Sequence, residues 1–226
     1  MDEKEFYLDA IREAVPTDQE DQIQSIFNSF LEIELLYDAA IELVKTQLNI
    51  FDSEFNMRFQ RNPIHNMESR IKSPQSMIEK LQRKNLPITP ESARENLTDI
   101  AGVRVICCYI DDIYAISELL SQKSNYHLRK VKDYIKNPKP NGYRSYHMIV
   151  DVPVHMSTGV EEAPVEIQIR TIAMDFWASL EHQLHYKSIG NSQVASSLTD
   201  SLRECADTIA ETDRKMQDMF NQINQL

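Results

Sequence analysis

Two segments in the second half of the chain alternate between polar and apolar residues. Alternation with a period of two is typical of β-strands that bury one face. The polar positions are Tyr143, Ser145 and His147 in the first segment, and Glu166, Gln168 and Arg170 in the second. The apolar positions between them are Tyr146, Met148 and Val150, and Val165, Ile167 and Ile169. We predict antiparallel strands at 143–152 and 164–170, joined by a long connection at Gly159.

The polar set on these strands is unusual for a solvent-facing surface, which would more often carry mixed Thr, Lys and Glu. An ordered series of Tyr, His, Glu, Gln and Arg beside a basic loop indicates a functional site instead. The sequence thus predicts both a sheet and the face of that sheet on which chemistry takes place.

Other strand signals complete the sheet. Residues 103–110 are β-branched and nearly all apolar, which is typical of a central strand buried on both faces. Asp111 follows and is expected to cap a helix that reaches about Leu120. A strand is predicted near 126–132, and an extended segment lies near 69–72. The sequence therefore predicts an α/β (α+β) fold with a mixed sheet of about five strands flanked by helices.

Long amphipathic helices are predicted at both ends of the chain. A four-residue repeat predicts an N-terminal helix of roughly 30 residues; its members are Ile23, Phe27, Leu31, Leu35, Ala39 and Leu43. Near-heptad spacing over 194–225 predicts a helix with a partner, either the N-terminal helix or another subunit. Its apolar residues are Leu198, Leu202, Cys205, Ile209, Met216 and Ile223. Residues 1–15 are expected to form a short helix that Pro16 ends.

A further helix is predicted after the second alternating strand. Thr171 is its expected cap, and a core stripe is predicted along it at Ala173, Trp177, Leu180 and Leu184. We divide the chain into an N-terminal helical segment at 1–62, a central region at 63–190 and a C-terminal helix at 191–226, all integrated in one domain.

Composition limits the class of protein. A hydrophobic content of 42% and a charged content of 26% are typical of a globular chain. No apolar run approaches the roughly 18 residues of a membrane span, and there is no signal-peptide pattern. Three cysteines without a CxxC pair form no disulfide framework, so we expect a cytoplasmic protein. The 4 glycines argue against a glycine-rich phosphate loop.

The net charge of −11 is unevenly distributed along the chain. Residues 1–60 hold 14 acidic residues and 4 basic ones. The windows 70–84 and 123–144 hold 12 of the 24 Lys and Arg residues, with Glu79 and Asp133 as their acids. The local field governs the capture of an anionic ligand, so both windows are candidate phosphate-binding surfaces. A solvated basic face is the alternative interpretation.

The first basic window coincides with a predicted helix start. Ser73 is a favourable N-cap and Pro74 suits the first helical position; Thr89 and Pro90 repeat this pattern. A helix N-terminus presents free N–H groups and partial positive charge, so it can hold phosphate. Taken alone, the window describes an ordinary basic surface helix equally well.

The chain resembles a known family in its second half. The motif residues are Lys132-Asp133-Tyr134-Ile135, Pro138-Lys139-Pro140-Asn141-Gly142-Tyr143, Ser145, His147, Glu166, Gln168 and Arg170. They are arranged as in the RelA/SpoT-type alarmone synthetase domain, which the chain resembles over about residues 65–190. The resemblance implies a nucleotidyltransferase-like fold and transfer of diphosphate from ATP to the 3′-hydroxyl of GDP or GTP, giving (p)ppGpp.

The resemblance also implies a small, stand-alone synthetase. Bifunctional relatives carry a hydrolase domain with a His-Asp metal dyad, and none of the six histidines of this chain precedes an Asp. Such small proteins often form homotetramers in this family. We therefore expect synthesis without hydrolysis, in a homo-oligomer.

The resemblance assigns ATP binding to Arg70, Lys72, Ser76, Lys80, Arg83 and Arg104. Arg70 and Arg104 are implied to hold adenine between two planar cations, and Lys72 and Ser76 to meet phosphates. Asp99 matches the metal-binding Asp of the family's Asp-Ile-Ala-Gly motif, although a loop carboxylate or a cap is the plain alternative. Mg²⁺ is the expected cofactor because it binds one or two carboxylates together with phosphate oxygens.

The acceptor nucleotide, GDP or GTP, is assigned to Lys130, Lys132, Lys139, Asn141, Tyr143, His147 and Gln168. Tyr143 is expected to stack on guanine, a contact that contributes about 1–3 kcal/mol in other base–aromatic stacks. Glu166 is the predicted base for the ribose hydroxyl and a predicted metal ligand with Asp99. The alternatives are a core aromatic for Tyr143 and a surface carboxylate for Glu166.

Two other functions remain open from the sequence. A toxin-like relative of the same fold would pyrophosphorylate adenosine nucleotides or tRNA. A module that binds nucleotide or RNA without catalysis would use the basic windows, although few aromatics support single-strand stacking. His182 and His185 have a spacing that can ligate Zn²⁺, but no second pair is identifiable. Cys107 and Cys108 are expected to be inert core residues.

Overall fold

The computed structural model describes residues 8, 11–12, 20–122, 125–188 and 192–223. The elements are α1 (Glu20–Phe59), β1 (Ile64–Ile71), α2 (Pro74–Arg83), α3 (Pro90–Asn96), β2 (Ala101–Cys107), α4 (Ile110–Gln122), β3 (His127–Asp133), β4 (Tyr146–Met156), β5 (Gly159–Thr171), α5 (Ile172–Ser188) and α6 (Ser192–Ile223). The helix predicted at 1–15 lies outside the described residues, apart from the helical positions Leu8, Ile11 and Arg12.

The five strands form one mixed sheet in the order β1-β2-β5-β4-β3. β2 and β5 are parallel, and the other neighbours are antiparallel. The predicted mixed sheet of about five strands is therefore confirmed. β5 is its middle strand, with β2 on one side and β4 on the other.

β4 and β5 form a longer hairpin than the sequence predicted. Their pairing extends from Tyr146 opposite Ile169 to Met156 opposite Gly159. The long connection expected at Gly159 is wrong, because residues 157–158 alone join the strands. Gly159 begins β5 with a φ of +141°, a conformation that L side chains rarely adopt. The predicted strand start at 143 is also early, since Tyr143 belongs to the loop before β4.

β2 corresponds to the predicted central strand but is shorter and less buried. It ends at Cys107, and α4 begins at Ile110. Arg104 and Gly102 are partly exposed, so the prediction of two buried faces is wrong; one face of the sheet is open at this strand. Cys108 lies beyond the strand, half-buried, with its thiol donating to the carbonyl of Asn62. It is not the core residue that we expected.

The start of α4 also differs in detail from the prediction. Asp112, within the first turn, accepts from the backbone N–H of Tyr109 at 3.2 Å. Asp111, the expected cap, lies in the first turn. The side chains of Ile113, Ile116 and Leu120 on this helix face inward and are fully buried.

α1 packs along the sheet through a face that the four-residue repeat described only in part. Ile23 and Phe27 are buried, as are most of the residues that continue this face: Phe30, Ile33, Leu36, Tyr37, Ala40, Ile41, Val44, Leu48 and Phe51. Leu31, Leu35 and Leu43 are exposed. A step of four residues advances about 40° more than one helical turn. A strict repeat of four therefore rotates away from the core.

The two last helices pack against each other. Thr171 caps α5 as predicted, because its hydroxyl accepts from the backbone N–H of Met174 at 3.1 Å. The predicted stripe on α5 is wrong at Leu180 and Leu184, which are exposed. The indole of Trp177 donates to the carbonyl of Leu202 at 2.9 Å. The partner of the C-terminal helix within this chain is thus α5, which the sequence analysis did not name.

Among the described side chains of α6, Ala206, Ala210, Asp213 and Gln217 are buried. The heptad residues Cys205, Met216 and Ile223 are exposed, and the side chain of Leu198 lies outside the described set. Among the described helices, none has both the length and the apolar character that crossing a membrane requires.

Tyr37 provides a test of the packing of α1. Its side chain is fully buried, burial raises its pKa to about 12, and its hydroxyl has no hydrogen-bond partner among the described residues. Tyr37→Phe should therefore maintain or raise the free energy of unfolding, by up to roughly 1–3 kcal/mol, because it removes an unpaired buried hydroxyl. Urea denaturation measures this. Tyr114→Phe is the control, since its hydroxyl bonds to Asp133 at 3.2 Å and its loss should cost about 1 kcal/mol. Equal losses in both variants would contradict the expectation.

Candidate active site

The site lies on the open face of the sheet, where two rows of residues cross the strands. Residues paired laterally in a sheet point to the same face. One row is Glu68, Arg104, Gln168, His147 and Lys132, and the next is Arg70, Gly102, Glu166, Ile149 and Lys130. The register thus brings together residues that are up to 100 positions apart in the sequence.

A cleft of about 460 Å³, including the solvent at its mouth, opens over the parts of these rows that lie on β1, β2 and β5. Its lining residues are Glu68, Ser69, Arg70, Asp99, Gly102, Val103, Arg104, Glu166 and Gln168. The two carboxylates that the sequence analysis placed together, Asp99 and Glu166, therefore face one cavity. They are close enough for the charge of Asp99 to oppose the ionisation of Glu166.

Asp99 lies in the loop before β2 and pairs with two lysines. Its Oδ2 is 2.6 Å from Nζ of Lys80 and 3.3 Å from Nζ of Lys72. Burial opposes ionisation of this carboxyl, but the two lysines outweigh burial and lower its pKa. Its other oxygen, Oδ1, is buried and has no hydrogen-bond partner among the described residues. An ionised carboxylate with one unpaired oxygen can accept a cation.

Glu166 lies at the middle of β5 and is also held in its ionised form. The His147 imidazole, with Nδ1 3.5 Å from Oε1, lowers its pKa most, and burial acts in the opposite direction. Gln168 donates from Nε2 to Oε2 of Glu166 at 3.1 Å. On its far side, Nε2 of His147 is 2.8 Å from the hydroxyl of Tyr143. Tyr143, His147 and Glu166 thus form a continuous polar series.

Arg170 organises this series, although the sequence analysis assigned it no role in binding. The residue is 5% exposed. Its Nη2 donates to the hydroxyl of Tyr143 at 2.6 Å and to Oε1 of Gln168 at 2.9 Å, and its Nη1 donates to Asp175 at 3.1 Å. The alternation in β5 placed Arg170 on the reactive face, which was the available signal. Its partner on α5, Asp175, carried no signal in the sequence.

The loop from 134 to 145 presents the aromatic part of the site. Nζ of Lys139 lies over the rings of Tyr143 and Tyr134, at 4.6 and 4.9 Å from their centroids. Asn141 shapes the loop, since its Oδ1 accepts from the N–H of Tyr143 at 3.2 Å and its amide donates to Glu181 at 3.3 Å. The structure therefore gives Asn141 protein partners at a position where the resemblance implied contact with nucleotide.

Gly142 is required at the base of this loop for two reasons. Its φ is +92°, which favours glycine. A Cβ atom built there would lie 2.5 Å from Cβ of Ala206 on α6. Arg144 adds a second contact to the same helix, donating to the carbonyl of Ala206 at 3.2 Å and to Asp207 at 2.8 Å. The loop is thus fixed against α6.

Five of the six residues predicted to bind ATP lie in three groups. Arg70 and Arg104 line the cleft from neighbouring strands, with Arg104 bonded to Glu68 at 2.9 Å. Lys72 and Lys80 form ion pairs with Asp99, which lines the cleft. Ser76 lies in the first turn of α2, which Ser73 caps as predicted by accepting from the N–H of Ser76.

Three predicted residues lie away from the cleft. Arg83 is exposed near the end of α2, and Lys130 and Lys132 are exposed on the edge strand β3. They contribute positive charge to the surroundings of the cleft rather than to its walls.

The donors available for a metal are carboxylate oxygens. Within the described part of the chain, no group of three or more His, Cys, Asp or Glu is arranged to hold an ion. His182 is exposed on α5, and the side chain of His185 lies outside the described set. Asp99 and Glu166 together fit a cation that completes its coordination with ligand oxygens, as Mg²⁺ does.

Two carboxylates and a pair of arginines in one cleft, with lysines bound to one of the carboxylates, are groups of the kind that nucleotide phosphotransfer enzymes use. Residues 69–191 match the family model described as the region found in RelA / SpoT proteins. The chain belongs to the RelA/SpoT family.

Its relatives of similar length are small alarmone synthetases. The chain is 44% identical over 196 residues to the GTP pyrophosphokinase YwaC of Bacillus subtilis, covering 87% of this chain and 92% of that protein. Small alarmone synthetase 1 of Bacillus subtilis, bound to its product pppGpp, has a TM-score of 0.76 and 31% identity, covering 86% of this chain and 97% of that one. The same synthetase bound to AMPCPP has a TM-score of 0.71 and 28% identity, covering 88% and 100%.

The lysine pairs of Asp99 make a prediction about stability and pH. A carboxyl with a lowered pKa in the folded state adds stability above its unfolded pKa, near 3.9, and this stability is lost as the pH falls through the folded value. The difference in free energy of unfolding between wild type and Asp99→Asn should thus be largest near neutral pH and shrink below about pH 4. Urea titrations across this range measure it. Asp38→Asn, on the exposed face of α1, is the control and should show no such trend. A difference that stays constant down to about pH 3 would contradict the assignment.

Proposed function

We propose that the protein transfers the β,γ-diphosphate of ATP to the 3′-hydroxyl of GDP or GTP, forming (p)ppGpp and releasing AMP. The observation that carries the proposal is that Asp99 and Glu166 line one cleft, with the arginines of β1 and β2 on one side and the Tyr143–His147 group on the other. The pyrophosphokinase names of the relatives and the pppGpp and AMPCPP bound in the similar structures support the same reaction.

On the donor side, Arg70 and Arg104 offer planar cations for the adenine ring. Lys72 and Lys80 offer the charge that the phosphates need. Both lysines form ion pairs with Asp99. When the phosphates of ATP bind the two lysines, the Asp99 carboxylate becomes free to bind a cation.

We propose that Asp99 and Glu166 hold Mg²⁺. The ionised state of both groups and the unpaired Oδ1 of Asp99 support this assignment. When bound, the ion neutralises phosphate charge that develops during the transfer.

On the acceptor side, Glu166 accepts the proton of the ribose 3′-hydroxyl. The hydroxyl oxygen bonds to the β-phosphorus of ATP, the bond from that phosphorus to the oxygen shared with the α-phosphate breaks, and AMP leaves with that oxygen. The lowered pKa of Glu166 ensures that the group is ionised at neutral pH. His147 and Gln168 fix the orientation of its carboxylate through their contacts to its two oxygens.

Guanine stacking on Tyr143 requires a local exchange. Lys139 lies over this ring, at a position that a stacked base would occupy. We propose that the base displaces Lys139, whose ammonium then meets the 5′-phosphates of the acceptor. Tyr134 and His147 meet the Tyr143 ring edge to face, with centroids 6.0 and 5.8 Å away, and support it in either state.

We further propose a cytoplasmic homotetramer. The support for self-association is the large apolar side chains that the fold leaves in water on α1, among them Leu35 at 60%, Met57 at 72% and Phe59 at 60% exposure. Larger exposed apolar patches mark protein interfaces, so α1 is the surface that we propose for self-association. The free cysteines and the nucleotide substrates support the location.

Glu166→Gln tests the reaction. Loss of the proton acceptor should lower kcat for (p)ppGpp formation by at least about 10²-fold, measured by chromatography of products from ATP, Mg²⁺ and GDP or GTP. Glu162→Gln is the matched control, because Glu162 is an exposed glutamate on the same strand; it should retain activity. Wild-type rates in Glu166→Gln would exclude this base. Parallel incubations with adenosine nucleotides and tRNA test the substrate, since transfer to them in place of guanosine nucleotides would overturn the proposal.

The assembly is tested by light scattering during size-exclusion chromatography. Wild type should elute with a mass about four times the 26.3 kDa of the chain. Leu35→Glu should yield smaller species, because it places a charge within an apolar contact. Glu32→Gln, on the exposed side of the same helix, should leave the mass unchanged. A monomeric wild type at micromolar concentration would contradict the proposal.

A further inference from the structure

One carboxylate contacts an arginine of the donor side and an arginine of the acceptor side of the site. Asp175 occupies the first turn of α5. Its Oδ1 is 3.1 Å from Nη1 of Arg170 and 3.7 Å from Nε of Arg104. Arg104 belongs to the proposed donor side, and Arg170 contacts Tyr143 and Gln168 on the proposed acceptor side. A single oxygen atom of Asp175 therefore faces one cation from each side.

The contact with Arg104 is incomplete. Nε of Arg104 is buried and has no hydrogen-bond partner among the residues that the structure describes. The distance of 3.7 Å to Asp175 exceeds hydrogen-bonding range by roughly half an ångström. The other end of the guanidinium is held by the exposed carboxylate of Glu68. A small movement of Arg104 toward α5 would therefore satisfy a buried donor, which is energetically favourable.

The contact with Arg170 leads directly to the acceptor side. The Arg170 guanidinium has its remaining hydrogen bonds to the hydroxyl of Tyr143 and the amide oxygen of Gln168, with a longer one to the hydroxyl of Ser145. Because Arg170 is buried, its position depends on the carboxylate that neutralises it. Asp175 is that carboxylate, so its placement affects the group that would hold guanine.

We propose that Asp175 is a positioning residue that couples donor binding to acceptor binding, so that ATP in the cleft increases the affinity for GDP or GTP. A purine held against Arg104 brings its Nε into hydrogen-bond contact with Asp175. The carboxylate is then fixed by two arginines, and it fixes Arg170 and the Tyr143 hydroxyl in turn. The inference rests on the proposed assignment of the two nucleotides to the two halves of the cleft.

A simpler role for Asp175 would be stabilisation of α5. An acidic residue in the first turn of a helix interacts favourably with the partial positive charge there. That role predicts a lower melting temperature on substitution. It also predicts that the effect of bound ATP on the affinity for GDP or GTP stays the same. The two roles therefore differ in whether a substitution of Asp175 changes the effect of one nucleotide on the affinity for the other.

The test is calorimetric titration of the 226-residue chain with GDP, in the presence of Mg²⁺, with and without saturating AMPCPP, an ATP analogue whose α,β-methylene bridge prevents transfer. The ratio of the two dissociation constants is the coupling factor, and titration of AMPCPP with and without GDP must return the same ratio. Wild type should show a factor of at least about fivefold. Asp175→Ala should reduce it to about one, and Asp175→Asn, which retains one acceptor oxygen, should give an intermediate value.

Glu68→Gln is the matched control. It removes the other carboxylate partner of Arg104 but makes no contact with Arg170, so it should alter AMPCPP affinity and preserve the coupling factor. The inference is overturned if wild type shows no coupling, or if Asp175→Ala retains the wild-type factor, whether or not its melting temperature falls. If Asp175→Ala does not fold, an unchanged factor in Asp175→Asn has the same consequence. These titrations need no turnover, so a wild type that couples the nucleotides but forms no (p)ppGpp would refute the proposed function and leave the coupling intact.

Discussion

The middle strand must bury one face and present the other, and this constraint places the chemistry of the protein. Val165, Ile167 and Ile169 of β5 are fully buried, and their burial fixes the register of the strand. Glu166, Gln168 and Arg170 therefore face the cleft together. A slip of one residue would exchange the two faces, placing charged groups in the core at a cost of several kcal/mol each. The hydrophobic interior thus sets the position of the Glu166 carboxylate, the base that we propose, without contacting it.

Electrostatics then decides what the cleft can accept. Two carboxylates in one cavity disfavour each other's ionisation, yet Asp99 is held ionised by Lys72 and Lys80, and Glu166 chiefly by His147. The site is therefore a balanced set of opposite charges and not simply a positive surface. Such a set can exchange its internal ion pairs for a cation and a polyphosphate together. This explains how an acidic chain of net charge −11 is suited to nucleotides.

Local rules predicted the parts of the structure that depend on local sequence. Alternation gave the reactive face of β5, and hydroxyl groups at Ser73 and Thr171 cap helices where the sequence placed them. The rule of four on α1 was wrong where its spacing departs from the helical period, as at Leu35. The contacts of Asp175 and the several hydrogen bonds of Arg170 were not predictable, because they form where α5 packs against β5. A single acidic residue in a helix forms no sequence pattern from which such a contact can be predicted.

The loop from 134 to 145, which carries Tyr143, depends in the same way on its contact with α6. Gly142 meets Ala206 of α6 so closely that a larger residue on either side would separate them, whereas the Arg144–Asp207 ion pair is partly exposed and contributes little once salt screens it. Steric fit, more than charge, must therefore hold the loop. α6 is itself anchored beside the cap of α5, where the Thr171 hydroxyl donates to Asp213 at 2.6 Å. Tyr143 is thus positioned by packing between elements whose own sequences carry no catalytic motif. A substitution in α6 that changes the size of a side chain facing Gly142 should therefore alter the position of Tyr143.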